Sequence, residues 1–304
     1  MEDLLALPQL EPAWRRVRRR FPEVKINGSP LADARLADAL AREVHEDKTI
    51  PDPVRCQALR SLVGLGPGGL LALSWLARHD QVSPDDLLDY AALLTPGAPV
   101  DQALEEREAV EVTERLMSGV ELPRLARLVL SVRLLACQLF SEAGRAAVLR
   151  RLLAGPWLVA SDRRTLLEWA LGADLGQGQA PALADLPEPP VSLLRPALVG
   201  LVQQGEEVGA VARYALANLG SWSDSRPAVQ GLLDLVERHG AGLPPALRRQ
   251  ILDCALAQAE PALRRRAYQV GAAAEGESFL RAGLRDPDFG VRNWVLGRLP
   301  ACRE

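Results

Sequence analysis

Apolar residues recur along this chain at intervals of three and four, the spacing that lines one face of an α-helix. Trp14, Val17 and Phe21 follow it near the N-terminus, and Leu36, Leu40 and Val44 follow it again after Leu31. From residue 51 the rhythm returns in amphipathic stretches, each closed by Gly, Pro or an Asp-Pro pair. These breaks predict helices over residues 11–21, 30–45, 51–64, 67–79, 83–94, 100–118, 122–140, 141–154, 161–172, 191–203, 205–219, 225–239, 243–257, 260–274, 276–284 and 287–300. Ser29 is placed to cap the second of these, with Pro30 in its first turn. Only VKING, residues 24–28, reads as an extended piece and a turn. Residues 172–192 lack a sustained period and hold Pro181, Pro187, Pro189 and Pro190, which predicts a linker or long loop.

Composition agrees with an all-α fold. Of the residues, 48% are hydrophobic but only 4% aromatic, so the core is built from aliphatic side chains, chiefly the helix formers Leu and Ala. Charged residues make up 25% with a net charge of −3, which excludes the disordered class and argues against a protein that grips nucleic acid with most of its surface. All but two of the 36 basic residues are arginine, the exceptions being Lys25 and Lys48, a bias that GC-rich codons explain. The most apolar predicted helix, 122–140, carries Arg124, Arg127 and Arg133, which speaks against a membrane span. Met1-Glu2-Asp3 is acidic where a signal peptide needs positive charge. Cys56, Cys137, Cys254 and Cys302 are too far apart for a metal-ligand motif, and a reduced cytoplasmic protein is the expectation.

The succession of short helices contains an internal repeat. The clearest unit is Leu284-Arg285-Asp286-Pro287-Asp288-Phe289-Gly290-Val291-Arg292, continuing to Leu299. Shorter versions occur at Asp52-Pro53-Val54-Arg55 and Glu260-Pro261-Ala262-Leu263-Arg264, and residues 208–220 keep the apolar rhythm without the turn. In this pattern Asp caps a helix, Pro presets its first turn, and Arg is expected to reach the preceding turn's Asp. The unit resembles the second helix of HEAT repeats. That resemblance implies a right-handed α-solenoid of stacked antiparallel hairpins, since one hairpin cannot bury its apolar face alone. On it the chain divides into an N-terminal cap region, 1–49, irregular helical repeats, 50–171, the Pro/Gly-rich stretch 172–192, and HEAT-like repeats, 193–304.

Catalytic and cofactor motifs do not emerge. Gly64-Leu65-Gly66-Pro67-Gly68-Gly69 spells a dinucleotide-binding pattern, but it follows a predicted helix and is interrupted by proline, so a turn between helices explains it better. Glu43, His45, Glu46 and Asp47 form the densest group of metal-ligating types and read as a solvated helix end. Glu105, Glu106 and Glu108 read as the wet face of a long helix. No G-x-S-x-G elbow is present, and no Cys lies beside a His in sequence. The expectation is therefore no cofactor, no metal and no catalytic set.

What remains is a binding surface. Arginines cluster at Arg15, Arg16, Arg18, Arg19 and Arg20, and in Arg150-Arg151, Arg163-Arg164, Arg248-Arg249 and Arg264-Arg265-Arg266. Trp222 and Asp224, in the run GSWSDSR, and Trp294 are the residue types that HEAT-like DNA glycosylases place at a lesion, although no motif is shared. The leading expectation is a non-catalytic scaffold that takes a protein partner on the concave face of a helical array. Its candidate contacts are Arg15, Arg16, Arg19, Trp222, Arg248, Arg264, Arg265, Arg292 and Trp294. The alternative is nucleic-acid binding, in DNA repair for instance, through the arginine clusters.

Overall fold

The computed structural model describes residues 8–20, 39–63, 72–74, 76–77, 87, 104–119, 121–137, 140–172 and 186–299. Among them every regular element is helical, and the one extended pairing is an isolated parallel bridge between Leu104 and Phe140. The chain forms two compact units, Met1–Pro189 and Pro190–Glu304, whose division falls within the Pro-rich stretch. VKING, the 64–69 glycine run, His79 and Cys302 lie outside the described residues. No helix among the described residues is long and apolar enough to cross a membrane.

The first unit contains α1 (Glu11–Arg20), helical residues 39–46, α2 (Asp52–Val63), α3 (Glu106–Gly119), α4 (Arg124–Ala136), α5 (Glu142–Ala154) and α6 (Ala160–Ala170). In α3 the buried positions are Ala109, Val112, Thr113, Leu116 and Met117, one stripe at helical spacing that packs against α5. Gly144 on α5 permits a close approach, because a Cβ there would lie 2.7 Å from the Leu104 carbonyl oxygen. Helix α4 ends earlier than the apolar run suggests. Cys137 turns extended at φ −61°, ψ 128°, which lets the buried Phe140 bridge to Leu104. Ser141 then caps α5, its hydroxyl accepting from the Gly144 N–H at 3.0 Å.

The second unit contains α7 (Leu194–Gln203), α8 (Val208–Asn218), α9 (Arg226–His239), α10 (Pro245–Leu256), α11 (Pro261–Glu275), α12 (Glu277–Ala282) and α13 (Phe289–Leu296). Each of the first five packs against the next in sequence, and α7, α9, α11 and α13 also pack in turn against one another. Helices α8 and α10 pair in the same next-but-one manner. The core is aliphatic, as the composition requires, with Leu198, Ala212, Leu232, Ile251, Ala267 and Val295 inaccessible to solvent.

A recurrent device closes the turns. Helices α2, α5, α6, α10, α11 and α13 each carry arginine at their fourth residue: Arg55, Arg145, Arg163, Arg248, Arg264 and Arg292. Every one donates to a main-chain carbonyl in the turn that precedes its helix. Arg55 reaches the Asp47 and Ile50 carbonyls, both at 2.9 Å, and Arg163 reaches that of Gly155 at 2.8 Å. Arg145 reaches Cys137, Arg248 reaches Gly240, Arg264 reaches Gln258 and Ala259, and Arg292 reaches Asp286 and Pro287. The last carbonyls of a helix have no partner within it, and a cation there also meets the negative end of the helix dipole. Each arginine thus satisfies carbonyls at a helix end or in the turn that follows it, from the start of the next helix.

Candidate functional site

The second unit has an open cleft of about 410 Å³ lined by Glu237, Ala262, Arg265, Arg266, Gln269, Val270 and Trp294. Its floor is the outward stripe of α11. Residues 262, 265, 266 and 269 share a face at intervals of three and four, while Leu263, Ala267 and Tyr268 point into the core. Glu237 comes from α9 and Trp294 from α13, the two helices that pack on either side of α11 in the row.

The charges of the cleft are unevenly committed. Arg266 donates to the buried carboxylate of Asp234 and to Glu237, the latter at 3.2 Å. Asp234 is also held by Arg195, through Nε at 2.7 Å and Nη2 at 3.2 Å. Burial pushes the Asp234 carboxyl upward, but the guanidinium groups of Arg195 and Arg266 outweigh it and hold the group below the ordinary carboxylate range. Arg265 is exposed and makes no ion pair or side-chain hydrogen bond among the described residues. Beyond the lining, Arg298 lies over one face of the Trp294 ring, 4.5 Å from its centroid.

Trp294 and Arg265 therefore meet in one cleft, while the other candidates are placed elsewhere. Arg15 pairs with Glu11 on the exposed side of α1, and Arg19 is exposed there. Arg16 is drawn inward, donating to Glu43 at 2.6 Å and to Asp47 at 2.5 Å. Glu43 is thus buried in an ion pair, and the expectation of a solvated acidic helix end gives way at this residue. Glu105, Glu106 and Glu108 are exposed. Trp222 is half-buried and does not line the cleft, and Asp224 beside it accepts from the Arg226 side chain and N–H. Those bonds lower the Asp224 pKa, which keeps it a carboxylate and unsuits it as a proton donor.

Arg248, Arg264 and Arg292 belong to the turn-closing set. Arg248 also approaches Glu275, 3.6 Å away, and Arg292 lies over the exposed Phe289 ring at 5.7 Å. In the remaining pairs, Arg150 meets Glu106, Arg151 meets Glu114, Arg164 meets Glu168, and Arg249 meets Asp253 and Glu275. Most arginines in the sequence clusters have been matched with acids or carbonyls. The basic character visible in the sequence is consequently much reduced in the fold. The chain matches no family model, no curated protein and no solved structure.

A smaller cleft, about 260 Å³, in the first unit is lined by Glu111, Glu114, Arg115, Ser118 and Gly119 of α3. Arg115 and Arg151 engage Glu111 and Glu114 respectively, and Trp157 donates to Ser118 at 3.2 Å with Arg151 over its ring. Its charges are internally compensated. Among the described residues no three His, Cys, Asp or Glu side chains are grouped to hold a metal ion.

Proposed function

We propose that this chain is a HEAT-like α-solenoid that serves as a non-catalytic scaffold, taking a protein partner through the cleft over α11. The repeated fourth-position arginine and the next-but-one packing of α7, α9, α11 and α13 support the repeat reading, since both are what successive similar hairpins produce. The observation that carries the binding reading is the mixed lining of that cleft. An uncommitted cation, a carboxamide, an indole and the small side chain of Ala262 suit a polypeptide, whereas a nucleic-acid track calls for an unbroken row of uncommitted cations. The arginines that would form such a row are engaged with Asp234, Glu237, Asp286 and main-chain oxygens. Step from fold to function rests on this surface, because a helical array by itself fixes no role.

The test is affinity capture from the native host with the wild-type chain and with an Arg265→Glu/Trp294→Ala variant. A defined partner should be enriched by the wild type and lost with the variant. Capture of nothing beyond background would overturn the reading. So would tight, steeply salt-dependent binding of DNA, which would transfer the chain to the nucleic-acid class.

A further inference from the structure

The chemistry of the cleft can be carried further than the class of partner, on the reading that it binds protein. Within the lining, Arg266 and Glu237 neutralise one another, and the charge left over is Arg265. Outside the lining, Arg298 lies over one face of the Trp294 ring. Among the lining residues the carboxylate, Glu237, is engaged by Arg266, and Arg265 and Arg266 outnumber it, so the lining carries a net positive charge. A guanidinium accepts a carboxylate in a planar two-point contact, which a neutral or basic side chain cannot supply. Gln269, one turn beyond Arg265 on the same exposed stripe, offers a donor and an acceptor together, the pair that a main-chain peptide group complements. Trp294 offers a ring face, and Ala262 leaves the floor shallow enough for a backbone to approach it.

We infer that the cleft recognises an extended peptide segment in which an Asp or Glu lies beside an aliphatic or aromatic residue. The acid is seated on Arg265, the backbone runs along Gln269, and the apolar neighbour lies against Trp294. The volume, about 410 Å³, is within the range of clefts that hold a compact ligand and suits a few residues rather than a folded domain. The arrangement discriminates by charge. A basic peptide would meet the uncommitted Arg265, so acidic and basic versions of one sequence should separate.

The experiment is selection of a random heptapeptide display library on immobilised wild-type chain and, in parallel, on Arg265→Glu, Gln269→Ala and Trp294→Ala variants. Circular dichroism melts identify any variant that fails to fold. Peptides selected on the wild type should be enriched in Asp or Glu next to Leu, Ile, Phe or Trp. The best of them, made with a fluorescent label, should bind at least tenfold more tightly than its Asn/Gln counterpart. Arg265→Glu should remove the acidic preference and admit Lys-containing peptides. Trp294→Ala should weaken the labelled peptide without changing its charge preference. Recovery of no peptides, recovery without acidic enrichment, or an enrichment that survives Arg265→Glu would each overturn the inference. Its failure is distinguishable from failure of the scaffold reading. A host partner lost with the Arg265→Glu/Trp294→Ala variant, alongside a library that selects neutral or basic peptides, retains the scaffold and removes only the acidic specificity.

Discussion

Arg264 and Asp286 form a buried two-point ion pair between α11 and the turn before α13. Nε lies 3.0 Å from Oδ2 and Nη2 lies 3.0 Å from Oδ1, with the side chains only 7% and 1% exposed. The sequence pattern assigned this arginine to the preceding turn. The structure divides its donors: Nη1 caps the carbonyls behind it, and the rest of the fork reaches the aspartate 22 residues ahead. The cap of α13 falls accordingly to Asp288, which accepts from the Val291 N–H, while Asp286 accepts from the Asp288 N–H. Removing one member of a buried pair leaves the other charge uncompensated, at about 3–5 kcal/mol. Asp286→Ala should therefore lose about that much unfolding free energy in urea titrations, and Asp286→Asn less, since it still accepts. A loss below about 1 kcal/mol would mean that Arg264 finds another acceptor or water.

The turn-closing arginines make a second prediction. Hydrogen bonds from a charged donor contribute about 1.5–3 kcal/mol; Arg163 gives one to the Gly155 carbonyl, and Arg248 gives one to the Gly240 carbonyl, which also accepts from the Leu243 N–H at 3.3 Å. Arg163→Ala should destabilise by about that amount and Arg248→Ala by less, since Gly240 keeps the Leu243 N–H, whereas Arg265→Ala should stay within about 0.5 kcal/mol of wild type. Chemical denaturation of the three variants side by side checks this. Equal effects at all three positions would remove the distinction between capping and surface arginines.

These residues show what the sequence could and could not disclose. Helix positions were legible because burial writes a period of 3.6 into the chain: α3 buries Ala109, Val112, Leu116 and Met117 in the stripe that their spacing predicts. The end of α4 was not, because an apolar run continues through Cys137 to Phe140 and only the bridge to Leu104 shows why the helix stops. The arginine clusters illustrate the harder limit. Arg264, Arg265 and Arg266 look alike in sequence, yet one is buried on Asp286, one is exposed, and one is tied to Asp234 and Glu237. Which arginine is uncommitted depends on acids 22 and 32 residues away, and no local pattern encodes that. A signal was nevertheless present in the repeated Arg at the fourth helical residue, which marks those positions as caps before any binding role is considered.

Close packing of α11 on α12 gives a third prediction. A Cβ added at Gly271 would lie 2.2 Å from Phe279 Cε1 and 2.4 Å from Cδ1, and the ring is itself buried, tilted against Tyr268 at 6.1 Å. Overpacking of this kind costs about 1–3 kcal/mol. Gly271→Ala should lower stability by that amount although alanine is the better helix former. In a Phe279→Leu background the additional loss should shrink, because the smaller side chain vacates the clashing volume. Additive losses in the double variant would place the strain elsewhere.

The pH dependence follows from carboxylates that the fold keeps ionised. Asp47 is lowered to about 2, first by the Thr49 hydroxyl and then by Arg16 and the Thr49 N–H. Asp234 is lowered in spite of its burial by Arg195 and Arg266. For each, the folded form holds its proton less tightly than the unfolded chain. The resulting stability is fully present above the ordinary carboxylate pKa, near 4, and is lost as pH falls through the folded value. Asp47→Asn has no such titration. The difference in unfolding free energy between wild type and Asp47→Asn should therefore be constant from pH 7 to about 5 and narrow between about pH 4 and 2. Asp234→Asn should narrow against wild type over the same acidic side, and neither gap should widen as pH falls. Urea titrations at stepped pH measure both, and a gap that stays flat to pH 2 would show that these carboxylates gain nothing from their arginines on folding.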